Sequence, residues 1–279
     1  MLAFLRRAVR RALRARGYDV VRFSHRERER QIVNAHYRGH CFRCFQGDPQ
    51  CEYILAGRGW DNQLEPLLAE LASRRPTNVV EIGANIGGSL VTRASDYPGL
   101  TFHCLEPVPE FFDLLSENTR AYNATNVRLY NQAISSRDGV PVRIFTQVGT
   151  AGAIKSYDGH TPIGSIEVGA MSVDTLFSGV DVALLKIDTD GFEYEILDGS
   201  RQTLQASRPL VFMEFHPELI RRAGRTPEQL CALLASSGYD VAAIWSNEGA
   251  IVEGRADLRQ LPAIAARVAP YVDVLLRPQ

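Results

Sequence analysis

Val79-Val80-Glu81-Ile82-Gly83-Ala84-Asn85-Ile86-Gly87-Gly88-Ser89 is the stretch on which the fold turns. Val79, Val80 and Ile82 read as a short buried strand, and the glycine turn behind them leads into a helix-like segment. A parallel strand delivers backbone amides to a bound cofactor in this way. Gly83, Gly87 and Gly88 carry no Cβ, so the main chain can turn sharply and come close to a ligand. Glu81 stands two positions before the first glycine, at the strand end. A carboxylate there repels a pyrophosphate and suits a cationic ligand. The dinucleotide fingerprint Gly-x-Gly-x-x-Gly requires a glycine where this chain has Asn85.

Working outward, Leu100, Phe102, Cys104 and Leu105 form a second apolar run closed by Glu106. A carboxylate at that strand end can accept hydrogen bonds from both hydroxyls of a ribose. Further apolar runs alternate with helical patterns, which predicts a parallel α/β sheet. Strands are expected at 78–82, 101–106, 126–131, 181–187, 209–215, 239–245 and 271–276. Helices are expected near 87–95, 109–121, 191–204, 217–223 and 226–237, the last opening on Thr226-Pro-Glu-Gln, a cap followed by proline. Val140–Gln147 alternates like an edge strand, and the Gly/Ser/Thr-rich residues 148–165 read as a lid or a plain excursion.

Before the sheet, residues 24–36 read as a charged helix, and residues 37–60 as loop-rich. The organisation expected is a basic, loop-rich extension over 1–55 and a ligand-binding domain over 56–279. Leu2, Leu5, Val9, Ala12 and Leu13 recur at helical spacing among Arg6, Arg7, Arg10, Arg11 and Arg14. Residues 2–16 therefore describe a basic amphipathic helix for a membrane surface, a partner chain or its own protein. Residues 1–30 carry ten Arg against three acids, about +7, in a chain of net charge −1. The remainder is about −8, which excludes a broad nucleic-acid footprint on the main domain. No run is long enough to span a bilayer. Five cysteines, an odd number, fit a reducing compartment, so the chain is expected in the cytoplasm, with peripheral attachment at the inner membrane surface as the finer option. Cys41 and Cys44 with Cys51, His36 and His40 resemble half a zinc ribbon, but no second half follows, so the cysteines read as incidental. Self-association is left open.

Glu81-Ile-Gly-Ala-Asn-Ile-Gly, Glu106-Pro107, Lys186-Ile-Asp188-Thr-Asp190-Gly191-Phe-Glu193, Arg208-Pro209 and Glu214 occur in this order over roughly residues 50 to 220. The series resembles the FkbM-type methyltransferase family, class I enzymes that use S-adenosylmethionine. The resemblance implies a Rossmann-like α/β fold, a seven-stranded, mostly parallel doubly wound sheet whose final strand inserts antiparallel. It also implies methyl transfer, mostly to hydroxyls of sugars, glycolipids or natural products. Asp190 stands where Glu is more usual. The rival functions are a nicotinamide-linked oxidoreductase, against which Asn85 argues, and a noncatalytic glycan- or membrane-binding module.

Ligands of open α/β sheets bind beyond the carboxyl ends of the strands. That rule gathers Glu81, Gly83, Ala84, Asn85, Gly87, Glu106, Gln132, Ala133 and Asp188 as the expected cofactor residues. Gln132 can accept from the adenine amine while the Ala133 amide meets the ring, and Asn85 can hold the methionine carboxylate. Asp188 can meet the cofactor ammonium. A hydroxyl is a poor nucleophile and needs its proton removed as it attacks. His216 is the preferred base, with Asp188 and Glu214 as the further catalytic residues. A rival constellation of Asp188, Asp190 and Glu214 could hold Mg²⁺, but no metal is the favoured expectation. Lys186, inside an apolar run, is expected to pair with Glu214 or Asp188. Glu193 reads as a helix-start carboxylate. Trp60 and Tyr53 suggest an aromatic wall for a sugar ring, with core packing as the alternative.

Overall fold

All seven apolar runs read as core strands form strands. The structure is a computed structural model that describes residues 31–47, 49–74, 76–146, 151–152, 164–268 and 270–279. The helix expected at 2–16, and all of the excursion at 148–165 except 151–152 and 164–165, lie outside the described residues. In chain order the strands are β1 (Ile32–Tyr37), β2 (His40–Phe45), β3 (Thr77–Ile82), β4 (Leu100–Leu105), β5 (Val127–Tyr130), β6 (Ala133–Ile134) and β7 (Pro141–Thr146). There follow β8 (Ala151–Gly152), β9 (Gly164–Met171), β10 (Val182–Ile187), β11 (Leu210–Phe215), β12 (Tyr239–Ser246), β13 (Ile251–Glu253) and β14 (Val272–Pro278).

The main sheet runs β5-β4-β3-β10-β11-β14-β12-β13. From β5 through β11 neighbouring strands are parallel, while β14 is antiparallel to both β11 and β12. This is a Rossmann-like doubly wound sheet with its final strand inserted in reverse, as the resemblance implied. The count is eight strands rather than the expected seven. The chain turns at Gly249, whose N–H donates to Ser246, and Ile251–Glu253 comes back as a short edge strand on β12. The order reverses direction at β3 and β10, and that switch point is where such sheets open a crevice.

Alternation along the strands divides the core into two layers. Val79, Leu184 and Phe212 face one, whereas Val80, Leu185 and Val211 face the other. Truncating one such residue, for instance Leu185→Ala, costs about 2–5 kcal/mol. The helix Pro109–Ala121 has the expected bounds and buries Phe111, Leu114 and Leu115. Where one helix was expected at 191–204, two short ones, Glu193–Asp198 and Arg201–Ala206, meet at Gly199-Ser200. The segment after the glycine turn is a 3₁₀ helix, Val91–Asp96. A second sheet, β6-β9-β7-β8, contains the strand expected over Val140–Gln147 as β7, but β7 lies inside the sheet, antiparallel to both β9 and β8, not at an edge.

The amino-terminal side differs most from expectation. Residues 32–45 form an antiparallel hairpin, not the end of a charged helix and a loop. Its two-residue turn, Arg38-Gly39, has positive φ at both positions (48° and 83°), as a type I′ turn demands. The helix Pro49–Leu55 follows. Residues 32–279 form one compact unit, and Phe42, Cys44, Cys51 and Ile54 share a core layer with Leu68, Leu90 and Leu115. Cys44 and Cys51 are joined by a disulfide, with Cα atoms 5.5 Å apart. That bond takes two sulfurs out of the zinc arrangement. No described helix is long and apolar enough to cross a membrane.

Candidate functional site

A cleft of about 260 Å³ opens at the carboxyl ends of β3, β4, β10 and β11. Glu81, Gly83, Ala84, Asn85, Glu106, Gln132, Ala133, Asp188, Asp190 and Glu214, all expected site residues, line it together. Gly83 has φ +87°, and a Cβ there would stand 1.9 Å from the Asp188 carbonyl oxygen. Only glycine lets the ends of β3 and β10 approach so closely.

Glu106 is held by the backbone. Its Oε2 accepts from the Asn85 N–H and its Oε1 from the Val108 N–H, both at 2.9 Å. Asn85 itself adopts φ +49°, a left-handed conformation that Asn tolerates better than most residues. Burial pushes the Glu106 carboxyl up to about 7, against the pull of those two hydrogen bonds. Pro107, Val108, Phe111 and Ile134 make an apolar slot beside it. The Gln132 amide nitrogen donates to the carbonyls of Gly169 (2.7 Å) and Ala133 (3.1 Å), which leaves its oxygen to meet an amine.

Lys186 is 2% exposed and gathers three carboxylates: Glu81 at 3.2 Å, Asp61 and Asp188 each at 3.3 Å. Pairing with Asp188 was expected; Glu81 and Asp61 take the other contacts. Burial alone would lower the ammonium's proton affinity, but these acids raise it well above the usual lysine range. Glu214 faces Asp273 directly across the β11–β14 pair. Burial first, then Asp188, Asp190, Glu193 and Asp273, lifts the Glu214 carboxyl well above its ordinary range. Asp273 is lifted similarly, by burial and then by Asp61 and Asp188, although Gln63 donates to it at 2.8 Å.

Glu193 is buried and structural. Its Oε1 accepts from the Thr189 and Gly191 N–H groups and from the Thr189 hydroxyl, which ties the Asp188–Gly191 loop. Asp190 in that loop has φ +54°.

His216 does not line the cleft. It is the cap residue of helix Pro217–Arg222, and its Nδ1 accepts from the Leu219 N–H at 3.3 Å. Its ring stacks on Tyr271, which does line the cleft. Two residues beyond Glu214, the chain has already turned into the next helix. Gly87 also lies behind the lining, where its would-be Cβ faces Leu115 and Val91. Among the described residues no group of three or more His, Cys, Asp or Glu is arranged to hold a metal ion.

Four of the lining residues that escaped the sequence reading, or were left open by it, bear on the chemistry. Ser89 is 3% exposed, and its hydroxyl has no hydrogen-bond partner among the described residues. Gln50 comes from helix Pro49–Leu55, Trp60 from the segment before residue 64, and Tyr271 is the residue before β14. Trp60 was one of two candidates for an aromatic wall; Tyr53 packs edge-on against it at 5.3 Å, and the Arg58 guanidinium lies over the Tyr53 ring at 3.9 Å.

The profile of the methyltransferase FkbM domain matches residues 81–241, beginning at Glu81 itself. No curated protein matches the sequence. Among solved structures, a methyltransferase FkbM from Methylobacillus flagellatus KT is 16% identical, with 58% of this chain and 37% of that chain covered and a TM-score of 0.40. The precorrin-6y C5,15-methyltransferase of Geobacter metallireducens GS-15 is 13% identical over 79% and 92%, with a TM-score of 0.41. A structure described as StiE O-MT residues 961–1257 is 13% identical over 84% and 78%, with a TM-score of 0.48. These likenesses are too remote to bear on substrate.

Proposed function

The chain belongs to the FkbM methyltransferase family, and from that premise we propose that it moves the methyl group of S-adenosylmethionine to a hydroxyl of a sugar, glycan precursor or related metabolite. As a family member it is a methyltransferase that uses S-adenosylmethionine; the nicotinamide alternative has no support left. The observation that carries the finer reading is the convergence of Glu81, Glu106, Asp188 and Glu214 on one cleft from four adjacent strand ends.

The cleft fits the cofactor by chemistry. Glu106, fixed by two backbone amides, can accept from the ribose hydroxyls. Gln132 and the apolar slot suit adenine. Glu81 and Asp188 supply negative charge where a sulfonium and an ammonium need it. An acid-lined cleft repels a carboxylate, so the amino-acid carboxylate belongs at the neutral corner of Asn85, Gln50 and Ser89, where the unmatched Ser89 hydroxyl can donate. When bound, the cofactor supplies an already activated methyl group, so the residues mainly align the acceptor.

Removal of the acceptor proton falls to a group lining the cleft. Glu214 is that group in our reading, because a carboxylate with raised proton affinity accepts a proton well near neutrality. Asp188 and Asp190 flank it, and Tyr271 offers a ring face for a sugar. Mg²⁺ is not needed for this role. The cytoplasm remains the proposed compartment. The Cys44–Cys51 bond should be open in a reducing compartment, so a thiol count on protein trapped in cells reads the location.

Titration calorimetry with S-adenosylhomocysteine and with NAD tests the cofactor. A screen of nucleotide sugars and glycans with labelled methyl donor tests the acceptor. Label arriving only on nitrogen or carbon of the products would overturn the hydroxyl reading.

A further inference from the structure

Arg93 belongs to none of the motifs above, yet its side chain is 0% exposed. It sits on the 3₁₀ helix just beyond the glycine turn. Its Nη1 donates to the Ser89 carbonyl at 2.6 Å. Its Nη2 donates to the Trp60 carbonyl and to Asn62 Oδ1, the latter at 3.2 Å. Its Nε donates to Glu65 Oε1 at 3.0 Å, and Glu65 also takes Arg38 and the Tyr97 hydroxyl. One planar fork thus joins two residues of the cleft wall, Ser89 and Trp60, that lie 29 positions apart in the chain.

The joint is tight. A Cβ on Gly88 would stand 2.4 Å from the carboxamide carbon of Gln50. The segment bearing Gln50 and Trp60 therefore rests directly on the turn bearing Ser89. Filling this space with apolar atoms would avoid burying a charge, and such replacements are often neutral or stabilising. A guanidinium gives instead several directed hydrogen bonds in a fixed geometry. The Ser89 hydroxyl, buried, unmatched among the described residues and lining the cleft, is what that geometry presents.

We propose that Arg93 is a positioning residue for cofactor binding. It fastens residues 60–65 to the turn after Gly88, so that the Ser89 hydroxyl and the Trp60 ring meet the amino-acid end of the cofactor together. Arg93 does not itself touch the ligand. The inference rests on the methyl-transfer reading.

The chain has two tryptophans, so Trp245→Phe leaves Trp60 as the sole indole reporter. In that background S-adenosylhomocysteine should change Trp60 emission and bind with a calorimetric Kd like that of the unaltered protein. Arg93→Lys keeps the charge and loses the fork; Kd should rise about tenfold and the Trp60 response should shrink. Ser89→Ala alone should weaken binding by several-fold, and should add little once Arg93 is Lys. Asn62→Ala removes one of Arg93's acceptors without unburying it, and should move Kd the same way by about two- to threefold. This variant decides the matter should Arg93→Lys fail to fold. A purely structural arginine would lower Tm while leaving Kd and the Trp60 response unchanged in both variants, and that result overturns the proposal. Failure of the unaltered protein to bind S-adenosylhomocysteine would instead overturn the methyl-transfer reading beneath it.

Discussion

At the β3–β4 end of the cleft each carboxylate has partners of its own. Glu106 is clamped by two backbone amides, and Glu81 by Lys186 and the Cys104 thiol. At the β10–β11–β14 end, Asp188, Asp190, Glu214 and Asp273 crowd together, and Glu214 and Asp273 oppose one another across a strand pair. Like charges directly opposed in a sheet destabilise it. The first region fixes charge in position, as ligand binding needs; the second stores proton affinity, as proton transfer needs. Lys186 stands between them and serves both.

The harshest way to break this contrast is to remove the shared cation. Lys186→Met leaves Asp61, Glu81 and Asp188 without their counter-ion and should cost about 3–5 kcal/mol by denaturant titration. A loss below about 1 kcal/mol would mean that the lysine is not the keystone. Next, Glu214→Gln should reduce turnover by about 10²- to 10⁴-fold with cofactor affinity held within a few-fold. Full turnover would remove Glu214 from the proton-transfer role. On the other side, Glu106→Gln should weaken S-adenosylhomocysteine binding by about 1.5–3 kcal/mol, the worth of hydrogen bonds to a charged group.

Acidity sharpens the comparison without a mutation. Glu106 and Glu193 are raised to about 7, and Glu214 and Asp273 are raised well above their ordinary carboxylate range, all chiefly by burial. A carboxyl whose folded pKa exceeds its unfolded value binds more protons when folded. Its contribution therefore favours the folded state below the unfolded pKa and is lost as pH rises through the folded one. Each such group shifts stability by up to about 1.4 kcal/mol per pH unit inside its window. The free protein should melt higher at pH of about 5.5 than at about 7.5. The Glu214→Gln variant should show a shallower slope, and an unchanged slope would place the proton affinity elsewhere. The smallest effect is expected from His216→Ala. Loss of a cap costs about 1 kcal/mol of stability, and turnover should stay within a few-fold; a collapse of turnover would restore the imidazole as base.

The strands and the acids at their ends were legible because they obey local rules. Apolar runs closed by a carboxylate or a glycine name themselves, and helix Pro109–Ala121 begins and ends on its own signals. The amino-terminal hairpin was not legible. Its turn puts Arg38 at positive φ where Asn or Asp would advertise the bend, and its strands carry His and Arg where apolar alternation was sought. Edge strand β13 has only three residues, too few for a pattern. Gln50, Trp60, Asp61, Tyr271 and Asp273 reach the cleft or its charged flank only through tertiary packing. His216 was chosen by residue type and nearness to a strand end; the turn into helix Pro217–Arg222 aimed its ring at the helix instead.

One comparison reaches the centre of this account: calorimetric titration of S-adenosylhomocysteine into the unaltered protein, Glu106→Gln and Glu214→Gln. The expected result is one-site binding to the first, clear weakening in the second and near-normal affinity in the third. No binding to folded, unaltered protein, or equal weakening in both variants, would contradict the division of the cleft into a region that holds the cofactor and a region that takes the proton.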